Sequence, residues 1–153
     1  MEVPRDAHPR VREIRRYWTS IAPGPRLLPG RAHFDPVDVP SLLPNIWLID
    51  VVRDPLRFRY RLLGTTVEKF AGRRLTGLWL DRTLPAGTRE EVIANLTEVV
   101  ETGTPSWRRG PSLIVPEKTV MTLERLYLPL ASDGRTVDMV LGLTIFELQG
   151  DNR

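Results

Sequence analysis

"NIWLIDVVRDPLRFRYRLLG", residues 45–64, holds two runs of β-branched, aromatic and leucine residues around an Asp-Pro turn signal, the pattern of an antiparallel hairpin. Two registers suit it. With Pro55 and Leu56 as the loop, Asp54 faces Arg57 and Asp50 faces Arg61; with Asp54 and Pro55 as the loop, Asp50 faces Arg59. Both assign the same faces, because strand side chains alternate with a period of two. Trp47, Ile49, Val51, Phe58, Tyr60 and Leu62 share one face, and Ile46, Leu48, Asp50, Arg57, Arg59 and Arg61 share the other. A strand that stacks nucleic-acid bases exposes its aromatics beside its basic groups. Here the two are separated, so Phe58 and Tyr60 are expected in a core, while Asp50 answers part of the arginine charge.

Three more strand-like runs close the chain: "PSWRRGPSLIV" (105–115), "TVMTLERLYLPLA" (119–131) and "TVDMVLGLTIFEL" (136–148). The last two flank "SDGR", whose Asp133-Gly134 pair suits a tight type I′ turn. That turn pairs Leu130 with Val137, Leu128 with Met139, Leu126 with Leu141 and Glu124 with Leu143.

Between and before the strands lie helical patterns. In "PRVREIRRYWTSIAPG" (9–24), Val11, Ile14, Trp18 and Ile21 form an apolar stripe ended by Pro23 and Gly24. "DVPSLLP" (38–44) allows one turn capped by Asp38. "TTVEKFAG" (65–72) offers a Thr65/Glu68 capping box with Gly72 as stop, and "TREEVIANLTEVVETG" (88–103) repeats the device with Thr88, Glu91 and Gly103. Val92, Leu96 and Val99 stripe that last helix, and "RRLTGLWLDRTLPAG" (73–87) reads as irregular. Strands that follow one another through short turns are antiparallel. The expected fold is α+β, a five-stranded antiparallel sheet with helices on one face and an amphipathic helix at the N-terminus.

A chain of 153 residues with 41% hydrophobic and 27% charged content is sized for one domain. Its expected divisions are an N-terminal segment over 1–24, one domain over 25–148 and a tail over 149–153. The net charge is +3, but the basic residues are dispersed, and all but Lys69 and Lys118 are arginine. That argues against a nucleic-acid interface, which concentrates its charge. With no cysteine, disulfides, thiolate nucleophiles and a covalent flavin–cysteine adduct are excluded. No signal-peptide core or membrane-spanning run is present, and a cytoplasmic protein with no membrane association is expected.

"FDP" (34–36), "LLPNIWLIDV" (42–51), "FRYRLLGT" (58–65) and "LPLASDG" (128–134) together resemble a family of small bacterial PAS domains, over about Tyr17 to Phe146. The resemblance implies a five-stranded sheet with short helices enclosing a cavity, and a sensory, ligand-binding or dimerisation role. It names no ligand. Haem-binding members commonly use a histidine on the long helix, which 88–103 does not contain, so haem is disfavoured. No catalytic effector fits the remaining residues, and the chain is not expected to be an enzyme.

Glu124 stands out, because strict alternation places it on an apolar face, where a buried carboxylate needs a partner, a raised pKa or a ligand. It is either a polar anchor in a sensor cavity, or a structural residue turned outward by a bulge or paired with Arg125 or Arg109. Tyr60, Trp47, Phe70, Trp79 and Met139 are candidates for the same cavity, and equally for plain core. His33 beside Asp35 lacks the further groups of a metal or catalytic site. Val11, Ile14, Trp18 and Ile21 either cover their own sheet or form a homodimer interface; amphipathicity alone does not separate the two. A signalling partner protein is the other expected contact.

Overall fold

The computed structural model describes residues 3–111 and 121–148. Helix α1 (Pro9–Ser20) leads through 3-10 turns at Arg31–His33, Pro36–Asp38 and Pro40–Asn45 into strands β1 (Ile46–Val52) and β2 (Arg57–Leu63). Helices α2 (Thr65–Ala71), α3 (Leu80–Thr83) and α4 (Ala86–Thr102) follow, then strands β3 (Ser106–Pro111), β4 (Met121–Leu130) and β5 (Met139–Leu148). The sheet is antiparallel in the order β2-β1-β5-β4-β3. Residues 112–115 of the third expected strand and the tail at 149–153 lie outside the described residues.

The β1–β2 hairpin takes the second register, with Asp50 opposite Arg59 and Ile49 opposite Tyr60. A bulge between Leu48 and Ile49 then shifts the pairing, so that Leu63 faces Trp47 and Leu62 faces Leu48. Leu62, expected in the core, is therefore 49% exposed, and Leu63 is buried in its place. The loop between β4 and β5 is longer than the tight turn expected from Asp133-Gly134. Leu130 pairs with Met139 and Glu124 with Ile145, two residues from the expected register. A slip of two keeps every side chain on its face.

Local chemistry sets the helix ends differently from the capping boxes. Gly64, not Thr65, is the N-cap of α2. Its amide donates to Ile46 O at 2.6 Å, and a Cβ there would stand 2.3 Å from Leu43 O, so only glycine permits this approach. Helix α4 begins at Ala86 behind an N-cap of Pro85, placing Thr88 inside the first turn. The turn expected over 38–44 forms at Pro40–Asn45 behind Val39, with no side-chain cap; Asp35 caps the preceding turn at Pro36–Asp38, accepting the Val37 amide, and Asp38 instead accepts the Tyr17 hydroxyl at 2.8 Å. Both expected glycine stops hold, with Gly72 and Gly103 in the left-handed conformation. Within 73–87, expected to be irregular, α3 forms.

The sheet is covered on both faces. Val11, Ile14 and Trp18 of α1 are buried against Ile46, Leu48, Leu126, Leu128, Leu141 and Leu143, and Trp18 Nε1 donates to Pro129 O at 2.8 Å. Each fully buried large apolar side chain is worth about 1.5–3 kcal/mol, so α1 is a structural layer of the domain. Its stripe, one expectation for which was a homodimer interface, is consumed within its own chain; Ile21 is half-buried beside the same cluster. Helices α3 and α4 and the loop after α2 cover the opposite face through Leu75, Leu80, Leu84, Val92, Leu96 and Val99, with Val67 and Ala71 of α2 half-buried beside them.

Candidate functional site

Under α2–α4 lies a cavity of about 50 Å³. Its sheet wall is Trp47, Ile49, Tyr60, Leu63, Arg108, Leu123, Arg125, Tyr127, Thr144 and Phe146, and the opposite wall is Val67, Phe70, Ala71, Leu80, Val92 and Leu96 of the helices with Leu75 of the loop after α2. A water occupies ~10–15 Å³ by this measure, so the space takes a few water-sized groups.

Trp47 is fixed by its surroundings. The strand pairing places it beside Gly142 of β5, where a Cβ would fall 2.0 Å from the indole; Gly142 is thus what lets the ring lie across β5. The indole Nε1 donates to Thr144 Oγ1 at 2.9 Å, Asn45 Nδ2 donates to Thr144 O at 2.9 Å, and Tyr127 packs edge-to-face on Trp47 at 5.2 Å. Phe70 of α2 and Phe146 of β5 stack at 4.1 Å. Both are half-buried, which puts this pair between the cavity and solvent.

The polar side of the cavity is a row across three strands. Thr144 of β5 pairs with Arg125 of β4, which pairs with Arg108 of β3. Arg125 is 6% exposed. Its Nη1 donates to Ser106 O at 2.7 Å and Ser106 Oγ at 3.0 Å, and its guanidinium carbon lies 3.8 Å over the Tyr127 ring. Burial pushes its pKa down, the Tyr127 phenol opposes this, and the like charge of Arg108 adds to it. Tyr60 carries a buried hydroxyl without a hydrogen-bond partner among the described residues. Burial pushes this phenol up to about 12, opposed in part by the Thr83 side chain.

Of the residues singled out from sequence, Trp47, Tyr60 and Phe70 line the cavity. Glu124 does not. The β4–β5 pairing runs without a bulge from Met121 to Leu130, so Glu124 points to the α1 face. There it accepts from His8 N (2.9 Å), Trp107 Nε1 (3.0 Å), Arg109 Nε (3.2 Å) and Arg109 Nη2 (2.8 Å). Burial pushes its carboxyl upward, but the Trp107, Arg109 and His8 hydrogen bonds outweigh this and hold it below the usual range. Met139 also packs on the α1 side. Trp79 lies beyond β2, bridged to Arg59 and stacked under Arg57 at 3.9 Å. His33 is exposed, and its Nδ1 accepts the Gly30 amide at 2.9 Å.

Arg125, Arg108, Tyr127 and Thr144 were missed. The alternation in "LERLYL" does put Arg125 and Tyr127 opposite Glu124. That theirs is the Trp47 face depends on the pairing of β1 with β5, which no local pattern encodes.

A twisted antiparallel sheet enclosing a small cavity under three helices, with a further helix behind it, defines a PAS-type fold. The sequence profile of a PAS domain family matches residues 6–145, and the chain belongs to that family, whose members are sensory and signalling modules. No curated protein matches the chain. Among solved structures, it is similar to a domain of an HTR-like protein from Haloarcula marismortui ATCC 43049, at 11% identity and a TM-score of 0.48, over 67% of this chain and 97% of that one. No helix among the described residues is long and apolar enough to cross a membrane.

Proposed function

We infer that this PAS domain is a cytoplasmic, non-catalytic sensor that takes a small molecule into the cavity beneath α2–α4 and passes the change to a partner protein or a second copy. The observation that carries this is the Tyr60 hydroxyl, buried with no hydrogen-bond partner among the described residues, in a cavity whose wall toward α2–α4 is apolar. Burying a hydroxyl without a partner costs about 1–3 kcal/mol, and a ligand that accepts its hydrogen bond recovers that cost. A metabolite library screened by thermal shift tests the reading. A true ligand raises the melting temperature in proportion to the logarithm of its concentration above Kd; a library that leaves the transition unmoved removes it.

The size of the cavity favours a second reading. Ligand pockets are commonly ~300–1,000 Å³, against about 50 Å³ here, and a domain so nearly packed suits a ligand-free interaction module. Its surface would not be the α1 stripe, which is buried. The arginine strand gives nucleic acid little support: Arg57 is held by Asp81 at 2.9 Å, and Arg61 and Arg59 by Asp50 at 3.1 and 3.7 Å.

A further inference from the structure

We propose that the ligand of this cavity is a small organic carboxylate, with its charge on Arg125 and its apolar body against the leucine and aromatic wall. The proposal rests on the cavity being a ligand site and adds the chemical class. Arg125 is a cation 6% exposed, and among the described residues no carboxylate forms an ion pair with it; its hydrogen bonds go to neutral Ser106 oxygens. Glu91, exposed on α4, acts on it only as a more distant charge. Arg108 faces Arg125 directly across the β3–β4 ladder, and like charges so placed repel. Burying a charge is costly unless it is paired and hydrogen-bonded. This one lines a cavity whose wall, among the described residues, holds no acidic side chain and carries hydroxyls at Tyr60, Tyr127 and Thr144.

An anion there answers two cations at once, and a guanidinium fork matches the two oxygens of a carboxylate. The apolar remainder of the wall selects an acid with a hydrocarbon body over phosphate or sulfate, whose oxygens project in every direction. The volume restricts that body to a few carbon atoms unless Phe70 and Phe146 part.

Calorimetric titration of the full chain with isobutyrate and isobutyramide, and with phenylacetate and phenylacetamide, tests this. In at least one pair the acid is expected to bind about 10- to 100-fold more tightly than its amide, the range of a charged hydrogen bond. Arg125→Met should bring acid and amide within about threefold of one another, and Ala71→Leu, which fills space at the wall, should abolish binding of both. If acid and amide bind equally, or the preference for acid survives in Arg125→Met, the carboxylate assignment is overturned while the cavity remains a ligand site. Acid binding that persists in Ala71→Leu places the acid on surface arginines and also overturns it. If neither member of either pair binds, the assignment falls, and neutral hits in the metabolite library show whether the cavity reading survives. Should Arg125→Met not fold, the acid–amide comparison on the unmodified chain decides alone.

Discussion

The indole of Trp47 lies across Gly142, in the place a side chain on β5 would occupy, and donates its Nε1 proton to Thr144 two residues along the same strand. Gly142→Ala therefore forces the ring off β5. Inserting a methyl into a packed core costs about 1–3 kcal/mol, and the displaced ring also enters the cavity. Urea unfolding should show a lower midpoint with an unchanged slope, and thermal shift should show ligand responses lost. A midpoint equal to that of the unmodified chain would mean that the indole rests elsewhere.

Glu124 ties the segment before α1 to the sheet through His8, Trp107 and Arg109. Glu124→Gln should destabilise the domain by about 2–4 kcal/mol, since one buried partner of a charged network is removed. The folded-state pKa of Glu124 is below its ordinary value of 4.5. The ionised carboxylate's contribution is thus complete above about pH 4.5 and is lost as the pH falls through the lower folded-state value. The stability gap between Glu124→Gln and the unmodified chain should narrow below pH 4.5; a gap independent of pH would remove the charge from the explanation.

Trp18→Glu should act on stability and not on association. Trp18 is 8% exposed and donates to Pro129 O, so the substitution leaves a cavity and buries a carboxylate. A loss of more than about 3 kcal/mol is expected. Chemical denaturation read beside light scattering separates the cases: a stable variant of halved mass would restore α1 as a dimer interface.

Tyr60→Phe removes a buried hydroxyl that has no hydrogen-bond partner among the described residues. Stability should rise by up to about 3 kcal/mol, because the cost of an unsatisfied buried hydroxyl is removed. Ultraviolet titration should show one fewer tyrosine ionising near pH 12. A marked loss of stability would mean that the hydroxyl is bonded in solution.

Strand and helix identities were legible because they are local. The alternation of 57–63, the stripe of α1 and the glycines after α2 and α4 are short-range patterns set by backbone geometry. Helix starts were less so: Gly64 displaced Thr65 as a cap because β1 and the residues before it approach too closely for a side chain. Leu62 was lost to a bulge, which one extra residue in β2 creates without a sequence mark.

The candidate site divides along the same line. Trp47, Tyr60 and Phe70 could be named from sequence, and Glu124 was correctly seen to share an apolar face. Two apolar faces exist, however, and alternation cannot say which is which. The pairing of β1 with β5, residues nearly a hundred apart in the chain, put Trp47, Arg125 and Thr144 on one side and Glu124 and Met139 on the other. By itself the sequence determined the strands, the longer helices, the alternation and the family. Only the tertiary structure decided that α1 closes the face holding Glu124, and that the buried cation on the far face is Arg125, because both depend on contacts between segments whose local patterns carry no record of each other.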